Sequence, residues 1–420
     1  MLEQYRRLKA EHPGTILFFR MGDFYETFGE DALVASRVLG ITLTSRDKKK
    51  EGSIPLAGVP HHAVDGYLRT LVNEGHSVAI ADQMESPSEA RGLLDRQIVE
   101  VLTPGTITRS GILNAVVSNY IVALHPAADR VGVSIAEVST GEFRLGEVAL
   151  EDLAALLIEF PPREILVPEG SRREADGRPE LDASTLGDAA ARLTRWEAAR
   201  FDDRAGRQAL ERRFEVRSLE AFALGDPGLG FGAAGALLDY LRSLKKSELP
   251  QIGTVRALRE GAPLVVDEVT LRNLEIAESE AGPEHTLLRL LDRTETAMGG
   301  RALRALLRAP SRDLGILEAR LDRTEAFAAS PRLRAEMRER LHRVPDMERA
   351  LGLLGSGRAT PRDLGTLRDS LLRIPSVART LEAHAGPVTR DWRASLPDLS
   401  SLASELTRGL ADEQIGRAHV

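Results

Sequence analysis

The sequence contains no cysteine, which excludes disulfides, thiolate-ligated zinc and a thiol nucleophile. No apolar run approaches the ~20 residues of a membrane span, and the N-terminus lacks the apolar stretch of a secretory signal. The missing cysteine fits the cytosol. Positive charge is not in excess: 56 Lys and Arg face 63 Asp and Glu, for a net charge of −7. A uniformly basic nucleic-acid wrapper is thereby excluded, and any DNA contact must come from a local patch. Lysine is scarce, with 6 residues against 50 arginines, yet Lys48, Lys49 and Lys50 are consecutive. No Gly-Lys dipeptide occurs, so the phosphate loop Gly-x-x-x-x-Gly-Lys-Ser/Thr is missing. What remains is 420 residues, 42% hydrophobic and 28% charged, enough for several packed domains.

The first hundred residues alternate helix and strand signals. Leu2, Tyr5 and Leu8 recur at helical spacing, and Pro13-Gly14 breaks the pattern. Residues 15–19 read as a buried strand closed by Gly22-Asp23, and 31–39 as a helix capped by Gly40. Residues 41–44 read as a strand and 45–53 as a charged loop. A helix face over 63–72 and strands at 77–81 and 98–102 complete an α/β mixed-sheet module.

Three strands at hairpin spacing follow, at 120–124, 131–138 and 142–145, then a helix around Leu153 and a strand at 165–167. That order occurs at the start of ribonuclease H-like sheets, which is a fold analogy only. From about residue 250 the strand signal fades. Leucines at 3.6-type spacing then predict an all-α region of long amphipathic helices.

Aromatics make up only 4% of the chain, yet five lie within residues 18–28. Phe18 and Phe19 suit a core strand. After Gly22-Asp23 a turn would present the next side chains at an edge. An exposed Phe24 with Glu26 two residues on is a poor core element but a good wedge. The ring would stack on a base and the carboxylate would bond its edge.

Gly22-Asp23-Phe24-Tyr25-Glu26 resembles the mismatch-reading signature of the bacterial DNA mismatch-repair family MutS. Further segments match that family in order, among them 54–63, 78–83, 102–106, 139–143, 272–276 and 290–292, with Met298-Gly299-Gly300-Arg301. The resemblance implies a mismatch-recognition domain at 1–106, a linker at 107–118 and a ribonuclease H-like connector at 119–250. Part of a helical core/lever domain would occupy 251–414.

In the family's terms, Phe24 would stack beside a mispaired or looped base in bent double-stranded DNA, worth ~1–3 kcal/mol, and Glu26 would hydrogen-bond that base. The carboxylate is repelled by phosphates, so the bond must offset repulsion or the carboxyl must take a proton. Arg46, Lys48, Lys49 and Lys50 are candidate DNA-backbone contacts, against the alternative of a solvated charged loop. Residues 1–105 carry 12 basic and 15 acidic side chains, so any electrostatic grip is local.

The resemblance further implies a homodimer, a MutL-type partner and an ATPase domain using ATP and Mg2+. That domain would lie outside this chain, which would then not itself be an enzyme, and clamp and ATPase parts would be missing from it. The expected setting is the bacterial cytoplasm, on the nucleoid when DNA is bound. No catalytic, cofactor or metal residue is assigned, and His61-His62 reads as a packing and turn element.

Two alternatives remain. Glu137 and Glu142 on ribonuclease H-like strands invite a nuclease reading, which needs several converging carboxylates. A structural relative without mismatch reading would need no Phe24-x-Glu26 pair. Finally, residues 415–420 continue no helical pattern. They are what the codons ATC GGA AGA GCA CAC GTC encode, a string matching a sequencing adaptor, so a reading frame running into adaptor is expected there.

Overall fold

The computed structural model describes residues 1–45, 53–83, 95–109, 111–170, 181, 183–245, 249, 251–258, 263–342, 344–357, 359–384 and 386–410. The first sheet holds β1 (Ile16–Met21), β2 (Phe24–Phe28), β3 (Thr44–Ser45), β4 (Pro55–Pro60), β5 (Val78–Gln83) and β6 (Arg96–Leu102). Their order is β3-β4-β2-β1-β5-β6. β1 and β5 run parallel and the other pairs antiparallel, so the sheet is mixed as expected. Around it lie α1 (Leu2–Glu11), α2 (Glu30–Leu39) and α3 (Val64–Asn73).

The apolar periodicity of α1 buries Tyr5 and Leu8 against one face, with Phe19 and Phe28. Leu68, Leu71 and Val72 of α3 cover the other, with Phe18 and Tyr25. Residues 41–43 are not a strand. Only Thr44–Ser45 pairs, with Pro55 and Leu56 of β4, because the chain leaving α2 reaches the sheet edge no earlier. β2 and β4 were not legible as strands. β4 is bracketed by prolines and contains Gly58, a composition that disfavours strand interiors.

The second sheet has β7 (Tyr120–Ala127), β8 (Arg130–Glu137), β9 (Glu142–Ala149), β10 (Pro162–Pro168), β11 (Leu193–Trp196) and β12 (Arg256–Ala257), in the order β11-β10-β7-β8-β9-β12. β7 and β9 each run longer than their apolar cores suggested, and β8 has the expected length, one residue earlier. β12 joins β9 beyond the point where the strand signal fades. Helices α4 (Leu153–Glu159), α5 (Ala183–Leu186), α6 (Asp203–Arg213) and α7 (Gly230–Lys245) belong to this unit. α7 lies almost wholly buried, and Leu237, Leu238 and Leu241 have no exposed surface. Its close approach needs glycine: a Cβ on Gly206 of α6 would stand 2.0 Å from the Phe231 carbonyl oxygen.

Phe19, Ala81 and Val101 of the first sheet and Phe143, Ala136 and Leu237 of the second unit lie in one continuous apolar cluster. A polar node reinforces that junction. Glu164 of β10, 3% exposed, accepts hydrogen bonds from the Gly105 backbone N–H (3.1 Å), Thr194 (3.0 Å) and Tyr240 (2.5 Å), and also from Thr103. The 102–106 segment therefore docks on β10, and a Cβ on Gly105 would strike those of Glu164 and Ile121 at 2.8 Å.

The rest is helical: α8 (Glu268–Asn273), α9 (Leu287–Leu291), α10 (Ala297–Arg308), α11 (Leu314–Ala329), α12 (Pro331–Leu341), α13 (Met347–Gly355), α14 (Pro361–Ala383), α15 (Pro387–Ser395) and α16 (Ser400–Gly409). Arg301 of α10 forms a two-pronged pair with Asp346 (2.6 and 2.9 Å) and donates to the Ala115 carbonyl (2.8 Å). Arg349 of α13 donates to the carbonyls of Asn114 (2.9 Å) and Val117 (2.8 Å). The segment between the two sheets is thus gripped by the helices. Among the described residues, no helix is long and apolar enough to cross a membrane.

Candidate nucleic-acid interface

β1 and β2 form a hairpin whose two-residue turn is Gly22-Asp23, with Met21 paired to Phe24. Gly22 adopts φ +58°. Glycine with positive φ at the first central position is what a type II′ turn requires. The backbone N–H of His61 donates to the Asp23 carbonyl at 2.8 Å and pins the turn to the end of β4.

Strand alternation then decides the fate of each aromatic. Phe18, Phe19, Tyr25 and Phe28 are 1%, 0%, 5% and 4% exposed, whereas Phe24 is 47% exposed. Phe24, Glu26 and Phe28 share one face. Tyr5 covers that face at Phe28, with ring centroids 4.9 Å apart, and the same face is open at Phe24. Glu26 is half-buried between Phe19 on β1 and Gly58 on β4. A Cβ on Gly58 would approach the Tyr25 carbonyl oxygen at 3.3 Å and Cγ of Glu26 at 3.5 Å. Glycine opposite Glu26 therefore leaves room for its carboxylate stem.

Two arginines brace the hairpin. Arg96, 5% exposed, lies over the Phe19 ring at 4.8 Å and donates from Nε to the Arg20 carbonyl at 2.6 Å. Arg20 donates to the Gly22 carbonyl (2.5 Å) and lies 5.4 Å from the Tyr25 ring. The Tyr25 hydroxyl donates to Asp82 at 3.0 Å. Burial, and then the Asp82 charge, raise the Tyr25 phenol above its ordinary range. The backbone under Phe24 is held from both faces, so the ring projects from a fixed base. Arg96, Arg20 and Gly58 were not singled out from the sequence. Only the small size of Gly58 within the 54–63 segment carried a signal.

The structure brings Phe24 and Glu26 together as neighbours on one strand face. Arg46, Lys48, Lys49 and Lys50 lie outside the described residues, as do residues 415–420. Glu137 is 1% exposed, and both its carboxylate oxygens accept from the Ser139 hydroxyl at 2.8 and 2.9 Å. Burial raises its carboxyl above the usual carboxylate range, opposed by hydrogen bonds from Thr140 and Ser139 and then by the charges of Arg349 and Arg301. Among the described residues, no three His, Asp or Glu side chains converge as a metal site.

Comparison with known proteins accounts for the order of these units. Residues 1–111 match the family model described as MutS domain I, 119–253 that of MutS domain II, and 269–419 that of MutS domain III. The chain is 39% identical over 328 residues to the DNA mismatch repair protein MutS of Salinibacter ruber, covering 76% of this chain and 35% of the relative. It is 40% identical over 326 residues to that of Syntrophobacter fumaroxidans, covering 76% and 36%. The protein of that name in Dehalococcoides mccartyi is 37% identical over 321 residues, with the same shares. The chain spans about a third of the length of these curated relatives. With MutS domains I, II and III in sequence along a matching sheet–sheet–helix architecture, the chain belongs to the MutS family of DNA mismatch repair proteins.

Proposed function

We propose that this chain reads mispaired or looped bases in double-stranded DNA at the start of mismatch repair. Phe24 inserts as a wedge and stacks on the base, and Glu26 hydrogen-bonds its edge. The observation that carries this reading is the exposure of Phe24 at the hairpin end, in a run whose other four aromatics are buried. A ring held on a braced hairpin loses little freedom when it enters a stack. A mismatch lowers the cost of unstacking and bending, so such a wedge selects for deformability rather than sequence.

The second sheet is the connector of this reading, and its antiparallel β7-β8-β9 with parallel β10 supports a ribonuclease H-like fold. A nuclease gains no support, because Glu137 is sealed from solvent and bonded to Ser139. The same reading includes a homodimer, a MutL-type partner, a bacterial cytoplasmic setting and no catalysis by this chain itself. ATP with Mg2+ would act as the switch in another domain. The residues here do not fit that cofactor's phosphate loop, since no Gly-Lys dipeptide exists.

The test is a binding titration of the full-length protein on a G·T duplex, a one-base-loop duplex and homoduplex at fixed salt. Tighter binding of the first two, lost in Phe24→Ala, is expected. Equal binding of all three by the parent, or unchanged discrimination in Phe24→Ala, would overturn the proposal.

A further inference from the structure

A cavity of about 600 Å³ opens where the end of α3, the segment after β6 and the start of β10 meet. It sits at the end of the first sheet opposite Phe24: Gly75 on its wall leads into Val78, which pairs with Ile16 at the start of β1. Its volume falls within the range of small-molecule sites. Val72, Ile107 and Ile112 give it an apolar floor, and Arg69, Arg163 and Arg192 supply its charge. No carboxylate lines it among the described residues, although acidic side chains outnumber basic ones in the chain.

The three arginines are not used up by the fold. Arg69 donates to the Gly111 carbonyl and Arg192 to that of Pro162 (2.9 Å), bonds that fix their direction; both are exposed, and among the described residues neither pairs with a carboxylate. Among the described residues, the Arg163 side chain makes no hydrogen bond or ion pair, and it is exposed at the cavity mouth. Partial desolvation and the like charge of Arg192 lower its guanidinium below the ordinary value. The carboxylate that acts on it, Glu278, is 74% exposed and stands 3.5 Å from Arg308.

We propose that this cavity binds a small phosphate-bearing molecule, with its phosphates between Arg69, Arg163 and Arg192 and its body on the apolar floor. Guanidinium groups match phosphate oxygens two at a time, and like charges held close are stabilised by an anion between them. The concave, three-walled shape suits a small molecule rather than a duplex.

The test is calorimetric titration of the 420-residue chain with adenosine diphosphate and with pyrophosphate. Saturable binding of both is expected, tighter for the diphosphate with the apolar body. Arg163→Gln and Arg192→Gln should each weaken binding by roughly tenfold, the size of one charge-assisted hydrogen bond. Arg332→Gln, an exposed arginine on α12, should leave it unchanged. Arg163→Gln removes no internal bond, so its fold is expected to survive, with circular dichroism as the check. Four results would overturn the proposal: no saturable binding, unchanged affinity in folded Arg163→Gln, equal loss in Arg332→Gln, or displacement of the probe by a short homoduplex, which would reassign the arginines to the DNA backbone.

Discussion

Glu164 accepts a hydrogen bond from the backbone N–H of Gly105 at 3.1 Å, across 59 residues of chain. Its carboxylate also takes Thr103, Thr194 and Tyr240. Glu164→Ala would strand several buried donors and should destabilise the chain by about 3 kcal/mol or more. Glu164→Gln, which keeps the acceptor oxygen, should cost less. Urea denaturation followed by circular dichroism checks both, and a cost for Glu164→Ala below about 1 kcal/mol would mean that the node is slack.

Phe24 and Phe28 share a strand face but differ in burial, at 47% and 4% exposed. Phe28→Ala should cost about 3–5 kcal/mol, because it empties a core site against Tyr5. Phe24→Ala should change stability by no more than about 0.5 kcal/mol. Paired melts of the two variants test this, and a large loss in Phe24→Ala would make the ring a core element.

Four of the five tyrosines, Tyr5, Tyr25, Tyr120 and Tyr240, have phenols raised above the ordinary value, in each case first by burial. The folded chain therefore keeps protons that the unfolded chain releases near pH ~10. The stability they contribute is complete below that pH and is lost as pH rises through it toward the folded values. Ultraviolet titration should show most tyrosine ionising only together with alkaline unfolding. Ordinary titration of all five in the folded chain would contradict this.

Arg301 grips Asp346 with two prongs and the Ala115 carbonyl with a third bond. Burial alone would raise the Asp346 carboxyl, but the Arg301 bonds and charge override it and the net shift is downward. That contribution is present above the unfolded carboxyl's pKa of about 3.9 and fades as pH falls through the folded value. Arg301→Lys loses the two-pronged geometry. It should speed proteolysis at residues 114–117 at neutral pH, with the two sheets intact. Unchanged cleavage would show that Arg349 holds the segment alone.

The first sheet was legible where periodicity is clean. α1, β1, α3 and β5 follow their apolar spacing, and Phe24 was separable from Phe18 and Phe19 because a turn at Gly22-Asp23 intervenes. β4 was hidden because its prolines and Gly58 contradict strand propensity, and it forms because β2 offers a partner along its length. α7 was hidden because helices buried on all sides lose the amphipathic stripe that marks them. Arg96 over Phe19 and Glu164 under Gly105 join residues 59 to 77 positions apart, and no local pattern encodes such pairs.

The apolar cluster that runs from Phe19 and Val101 to Phe143 and Leu237 joins the two sheets through a shared core. Cutting the chain after residue 106 would part Phe19, Ala81 and Val101 from Phe143 and Leu237 of the same cluster. On the proposed function, a load on Phe24 would meet the second unit through this shared core as well as through the chain that links them.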